Sequence, residues 1–194
     1  MSALIECRKY LTGYARGISM LFGAHHNSPT LIGRAGPNMN IFQIYSTSPA
    51  RKFYVCTIPL QGGRTAFMKV QYELSENEAV VICDPEKFLL LWETSNIHTD
   101  IIANKNNWEK DYKFHSAEQG FSHGIKNPVP LPSIGLTKPF RFRGFSNGIS
   151  RTIWLMHYNA AFIPFLCPRD GAEDFNFACG TGHRCLQKDD FPFD

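Results

Sequence analysis

The stretch from Lys138 to Phe165, KPFRFRGFSNGISRTIWLMHYNAAFIPF, changes its hydrophobic period twice and constrains the fold more than any other part of the chain. In KPFRFRGF the alternation has a period of two. Phe140 and Phe142 share one face of an extended segment, and Arg141 and Arg143 share the other. Asn147 and Gly148 then supply turn geometry. From Ile149 to Tyr158 the apolar residues recur at helical spacing, and AAFIPF returns to a short apolar run holding a proline. A strand, a turn, a helix and a second strand in immediate succession demand a sheet with a helix packed on it, and together with the run of strands before them the expectation is the α+β class.

Four strand-like runs precede this unit: Ile41 to Thr47, Lys52 to Leu60, Thr65 to Leu74 and Glu78 to Asp84. The breaks at Gln61 to Gly63 and Ser75 to Glu78 have hairpin lengths, so the spacing predicts an antiparallel meander of all four. Asp84-Pro85-Glu86 places an acceptor at a helix cap and proline at the first helical position, predicting a helix over Pro85 to Ser95. A second helix is expected over Asn107 to Gln119, with Trp108 and Tyr112 on one face. NPVPLPSIGL is extended and proline-interrupted, and suits an edge strand or a ligand-lining loop. Before the strands, Leu4 to Leu21 has helical character broken by Gly13 and Gly17, and HHNSPT and GRAGPN are loop chemistry. The tail from Pro168 to Asp194 is rich in glycine and aspartate and reads as loose at its end.

The chain has 194 residues, with no internal repeat and no clear linker, so a single domain over 1–194 is expected. Its parts are an N-terminal extension (1–40), strands followed by helices (41–126), the motif region (127–167) and the tail (168–194). The composition, 43% apolar and 19% charged, excludes disordered and collagenous classes. A net charge of +3 is too mild to demand a nucleic-acid partner, so any such claim depends on where the basic residues sit. No run of about 18 uncharged apolar residues occurs, and MSALIECRKYLTGYARGISMLFG lacks the apolar stretch of a signal peptide. The expectation is a cytoplasmic protein whose six cysteines are free thiols, with Cys56 and Cys83 in the core.

Chemistry concentrates at the turn. The first N–H groups of a helix have no internal acceptor, and the helix dipole adds partial positive charge there. A helix opening after Asn147-Gly148 is therefore an anion site by construction, formed by the backbone at Gly148 and Ile149. Arg151 adds a forked guanidinium, and Ser150 and Thr152 add hydroxyl donors. The structural alternative is an ordinary helix cap. Lys138, Arg141 and Arg143 precede the turn with no acid among them, forming a patch suited to a nucleic-acid backbone or to simple solvation.

Other candidates are weaker. CGTGHRC, Cys179 to Cys185, holds two cysteines around His183, but no partner pair of ligands accompanies it, so it reads as a loop. No GxSxG, HExxH or phosphate-loop motif occurs. Cys167 reads as a buried thiol, His157 as a helix C-terminal cap, and Trp92, Trp108 and Trp154 as core; His25 and His26 fall in an unassigned loop.

The order PVPLPSIGL, basic strand, Asn147-Gly148-Ile149-Ser150-Arg151-Thr152, apolar helix with Ile153-Trp154-Leu155, and Ile163-Pro164-Phe165 resembles the ParB/sulfiredoxin superfamily. More narrowly, it resembles the plasmid fertility inhibition factors of the Osa-like type. The resemblance covers Asn127 to Cys167. It implies a ParB/sulfiredoxin-like domain with additional, mostly antiparallel strands N-terminal to it. In that family the turn reads much like NGRHRT, so Ser150 stands in place of histidine, and Asn147 stands where many superfamily members carry aspartate.

The resemblance implies that Asn147, Gly148, Ile149, Ser150, Arg151 and Thr152 hold the phosphate of ATP or another nucleotide. It also implies that Arg151 and Ser150 serve any ATPase or DNase chemistry, that a divalent metal joins if the protein is a nuclease, and that Lys138, Arg141 and Arg143 face DNA. It further implies inhibition of conjugation at the type IV secretion coupling protein (VirD4/TraG-like), on the cytoplasmic face of the inner membrane. Serine carries no positive charge and asparagine is no general base, and these two departures motivate the alternative of a non-catalytic interaction protein. A third reading, a thiol or zinc protein, depends on CGTGHRC.

Overall fold

The structure is a computed structural model, and it describes residues 41–192 apart from 49, 50, 71 and 111. The expected helix over Leu4 to Leu21, the two loops after it, Cys7, and His25 and His26 lie outside the described residues. The chain divides into two units, Met1–Met39 and Asn40–Asp194, and every described element belongs to the second.

Two four-stranded sheets share one core. The first holds β1 (Phe42–Ser48), β2 (Arg51–Pro59), β3 (Thr65–Val70) and the short β5 (Val129–Pro130), in that order. β1, β2 and β3 form an antiparallel meander, and β5 joins β3 in parallel. The β2–β3 turn is the predicted one, with Gly62 and Gly63 both at φ 75° and the Leu60 N–H donating to the Arg64 carbonyl at 2.9 Å.

The fourth run does not continue the meander. β4 (Glu78–Cys83) enters a second sheet of order β4-β8-β6-β7, with β6 (Ser133–Thr137), β7 (Arg141–Asn147) and β8 (Ile163–Pro168). The reason lies in burial. β3 alternates buried and wetter residues, whereas Ala79 through Cys83 are all buried, as suits a strand covered on both faces. Ser75 to Glu78 is thus the bend between the sheets, with the Ser75 N–H donating to the Glu78 carboxylate at 2.9 Å.

α1 (Pro85–Thr94) begins as expected, with Asp84 Oδ1 accepting from the N–H groups of Glu86 and Lys87 at 3.0 and 3.1 Å. Its Phe88 ring lies 4.4 Å from Phe165 on β8 and 5.6 Å from Phe142 on β7. The helix expected over Asn107 to Gln119 is divided. A 3-10 segment (Lys105–Lys110) and α3 (Tyr112–Ser122) replace it, preceded by α2 (Thr99–Ala103), because Trp108 turns into the core while its indole N–H reaches back to the Ile101 carbonyl at 2.9 Å. α4 (Ile149–His157) follows β7 directly, and its Trp154 stacks on Phe121 of α3 at 4.1 Å. Trp92 and Trp108 are buried as well.

The tail is not loose across the described residues. α5 (Arg169–Cys179) buries Ala172, Phe175 and Cys179, a helical spacing beneath the Gly- and Asp-rich surface. Beyond it, Leu186 bridges to Val80 on β4, and Phe191 is buried against Phe42 and Tyr54. Among the described residues no helix is long and apolar enough to cross a membrane.

Candidate functional site: a cavity at the start of α4

The site forms where the chain passes from one sheet to the other. β5 belongs to the first sheet and β6 to the second, with Leu131 and Pro132 between them. Gly148 sits against this crossing with φ 84° and ψ 19°, a left-handed conformation that favours glycine. A Cβ there would lie 2.7 Å from Pro132 Cα and 2.9 Å from Arg151 Nη2. The turn therefore needs glycine twice, for its backbone and for its closeness to Pro132.

α4 has no side-chain cap. Its first internal bond is the Thr152 N–H to the Gly148 carbonyl at 3.0 Å. The N–H groups of Ile149, Ser150 and Arg151 precede that bond and have no acceptor inside the helix. These three residues, with Asn147 and Gly148, line a cavity of about 550 Å³. That is the size range of small-molecule sites.

Arg151 is built into one wall. Its Nη1 donates to the Pro130 carbonyl at 2.5 Å and its Nη2 to Asn147 Oδ1 at 3.0 Å. Burial holds the guanidinium below its ordinary value, but arginine remains charged in proteins. Both acceptors are neutral, so the side chain is oriented without being neutralised. Across the cavity lie His98 and Lys113, and no described aspartate or glutamate lines it. With a helix N-terminus beside Arg151, His98 and Lys113, the described lining is basic in character.

Asn147, Gly148, Ile149, Ser150 and Arg151 are thus gathered around one space. Thr152 does not reach it. Its side chain is fully buried and its hydroxyl donates to the Gly148 carbonyl at 3.1 Å, so it stiffens the turn instead of offering a donor outward.

The basic residues of the preceding segment are elsewhere. Lys138 lies in the β6–β7 turn and pairs with Asp170 at 3.0 Å. Arg141 and Arg143 are exposed while Phe142 is buried, but irregular pairing follows Phe142, with Gly144 at φ 105°. Arg141 begins the strand that Asn147 ends, roughly 20 Å away at about 3.3 Å per residue. Neither exposed arginine is among the residues that line the cavity.

Sequence reasoning missed His98 and Lys113. His98 comes from the loop before α2 and Lys113 from the first turn of α3, both far from the turn in sequence, and no motif marks them. The one local hint is His98 itself, at φ 51° and ψ 48°, a region that histidine and asparagine enter more readily than most side chains.

The remaining candidates resolve as structure. Cys83 Sγ and Cys179 Sγ lie 3.4 Å apart in the core, and Cys167 donates to the Ala79 carbonyl at 3.6 Å. Burial pushes the Cys83 and Cys167 thiols well up, and burial with Glu173 nearby pushes Cys185 up to about 12, so these thiols are held protonated. His157 faces Glu109 at 3.9 Å and packs edge-on against Phe114. Among the described residues no three of His, Cys, Asp and Glu gather to hold a metal ion. The described lining offers N–H groups, hydroxyls and basic side chains, with no carboxylate among them.

Comparison with known proteins gives the family and the fold. A profile described as plasmid fertility inhibition factor matches residues 80–180, which hold the whole turn and both walls of the cavity. Over 122 residues the chain is 26% identical to Protein osa of Shigella flexneri. The aligned part is 61% of this chain and 64% of that relative, so the chain spans under two thirds of the relative's length. A crystal structure of the Oncogenic Suppression Activity Protein, a plasmid fertility inhibition factor solved as a gold(I) cyanide derivative, aligns with a TM-score of 0.63. That alignment has 22% identity and covers 95% of this chain and 89% of the other. At that identity the likeness shows a shared α+β fold.

Proposed function

This chain belongs to the plasmid fertility inhibition factor family, and from that premise we propose that it blocks conjugative DNA transfer by binding phosphate in the cavity at the start of α4. The ligand is the phosphate of a nucleotide or of DNA, and the partner is the type IV secretion coupling protein (VirD4/TraG-like), met on the cytoplasmic face of the inner membrane. A ParB/sulfiredoxin-like layout of β6, β7, α4 and β8 is compatible with this reading. The observation that carries it is the Arg151 fork, oriented by Pro130 and Asn147 beside the free N–H groups of α4 in a cavity with no described acid. Asparagine matters here. An aspartate at 147 would neutralise the fork, whereas the amide orients it and leaves its charge for a ligand.

This arrangement favours holding an anion. The described lining residues give no carboxylate to ligate a divalent metal or to act as a base, which supports the non-catalytic interaction protein as the mode of action. The second reading, ATPase or DNase turnover served by Arg151 and Ser150, has one observation in its favour: the imidazole of His98 borders the same cavity.

The test is binding of ATP and of a single-stranded oligonucleotide to wild type and Arg151→Ala, with conjugation inhibition scored in parallel. Losing a charge-assisted contact should weaken one of the two ligands by roughly tenfold to a hundredfold. Equal binding by both proteins, or none by either, overturns the site. Inhibition that survives while binding is lost separates the anion site from the inhibitory surface.

A further inference from the structure

We infer that His98 is a ligand-contacting residue of this cavity and that its protonation tightens anion binding. This role rests on the phosphate-binding reading of the cavity. Three features of the loop before α2 carry it. First, the loop is anchored: the Trp92 indole N–H donates to the Ile97 carbonyl at 2.8 Å, and the Ser95 hydroxyl donates to the Trp92 carbonyl at 2.7 Å. Second, His98 has a left-handed backbone, which costs a non-glycine residue about 1 kcal/mol, and it keeps that conformation within the anchored loop. Third, β7 makes room for it.

A Cβ on Gly144 would crowd Ile97 Cγ2 at 3.0 Å, so the missing side chain lets the His98 loop pack closely on β7, where His98 Nε2 lies 3.5 Å from the same point. The ring centroids of His98 and Phe145 are 6.3 Å apart, and both residues line the cavity. An exposed imidazole on an anchored loop, lining a cavity with no aspartate or glutamate among its described lining residues, is placed for contact with the ligand.

The charged surroundings fix the sign of the pH dependence. α3 contributes Lys113 to the lining and α4 contributes Arg151, whose guanidinium stays charged. β7 contributes Phe145, Ser146 and Asn147, none ionisable, with Arg143 exposed just before Gly144. Asp100, in the first turn of α2, lies outside the lining. The His115–Glu118 and His157–Glu109 pairs also lie outside it. A bound anion favours the protonated imidazole, so binding strengthens as pH falls through the histidine range.

The experiment compares wild type and His98→Asn with ATP and with a rhodamine-labelled oligothymidylate between pH 5.5 and 8. Asparagine tolerates the left-handed backbone and cannot be protonated there. Titration of the ATP phosphate is common to both proteins, so the ratio of their affinities isolates residue 98. That ratio should change by about fivefold to tenfold from pH 8 to pH 5.5 for the probe that binds through Arg151. The His98 ring proton, followed by NMR, should titrate at higher pH when that probe is bound. A ratio that is flat with pH, with an unmoved ring titration, overturns the role of His98 while Arg151-dependent binding keeps the phosphate site standing. No Arg151-dependent binding by wild type overturns both.

Discussion

Gly148 carries two constraints that an alanine breaks together. The backbone at φ 84° is strained for any L side chain, and the new Cβ would lie 2.7 Å from Pro132 Cα, which is backbone and cannot swing aside. The left-handed conformation and the overpacking together should destabilise Gly148→Ala by about 2–4 kcal/mol. The urea midpoint of unfolding reads this, and a shift too small to resolve would mean that the turn relaxes freely. Because Arg151 Nη2 is also within 2.9 Å of the added atom, phosphate binding should fall even where the variant is fully folded. Arg151 thus owes its orientation to neighbours on two sides, the Pro130 carbonyl and Asn147.

At the scale of elements, α1 shows what a local signal delivers. Asp84 takes two backbone donors and Pro85 occupies a position that needs none, so the helix start is written in adjacent residues. Asp84→Ala should cost about 1 kcal/mol, with faster amide exchange confined to the first turn of α1. An unchanged exchange pattern would show that packing of Phe88 alone sets the start. The Gly148–Arg151 half of the cavity was legible for the same reason, since a turn and a helix opening are neighbours in sequence. β4 was legible as a strand but not in its pairing, because hairpin-length breaks do not distinguish a turn within a sheet from a bend between sheets. α5 was obscured by Asp170, Glu173 and Asp174, which are its solvent face, although Ala172, Phe175 and Cys179 carry helical spacing. His98 and Lys113 were not legible at all. Only tertiary packing brings them opposite α4.

On the scale of the whole molecule, the last described residues close the first sheet. Phe191 meets Phe42 on β1 edge-to-face at 5.1 Å and Tyr54 on β2 at 5.2 Å, and the Tyr54 hydroxyl donates to the Pro192 carbonyl at 2.7 Å. The path to this clamp runs from α5 through the bridge between Leu186 and Val80 on β4, so the tail ties the second sheet to the first. A chain whose site lies at the crossing between two sheets depends on the sheets holding a fixed relation, and this clamp is one of the ties that fix it. Phe191→Ala removes a fully buried aromatic side chain and should cost about 3–5 kcal/mol, the range for such truncations in a core that relaxes only partly. Amide exchange separates two ways of losing that stability. If the tail is a clamp, protection falls first in β1 and β2 and affinity for phosphate falls with it. If protection falls evenly across both sheets, the tail adds stability without setting the geometry of the crossing, and phosphate affinity measured on the folded fraction is unchanged.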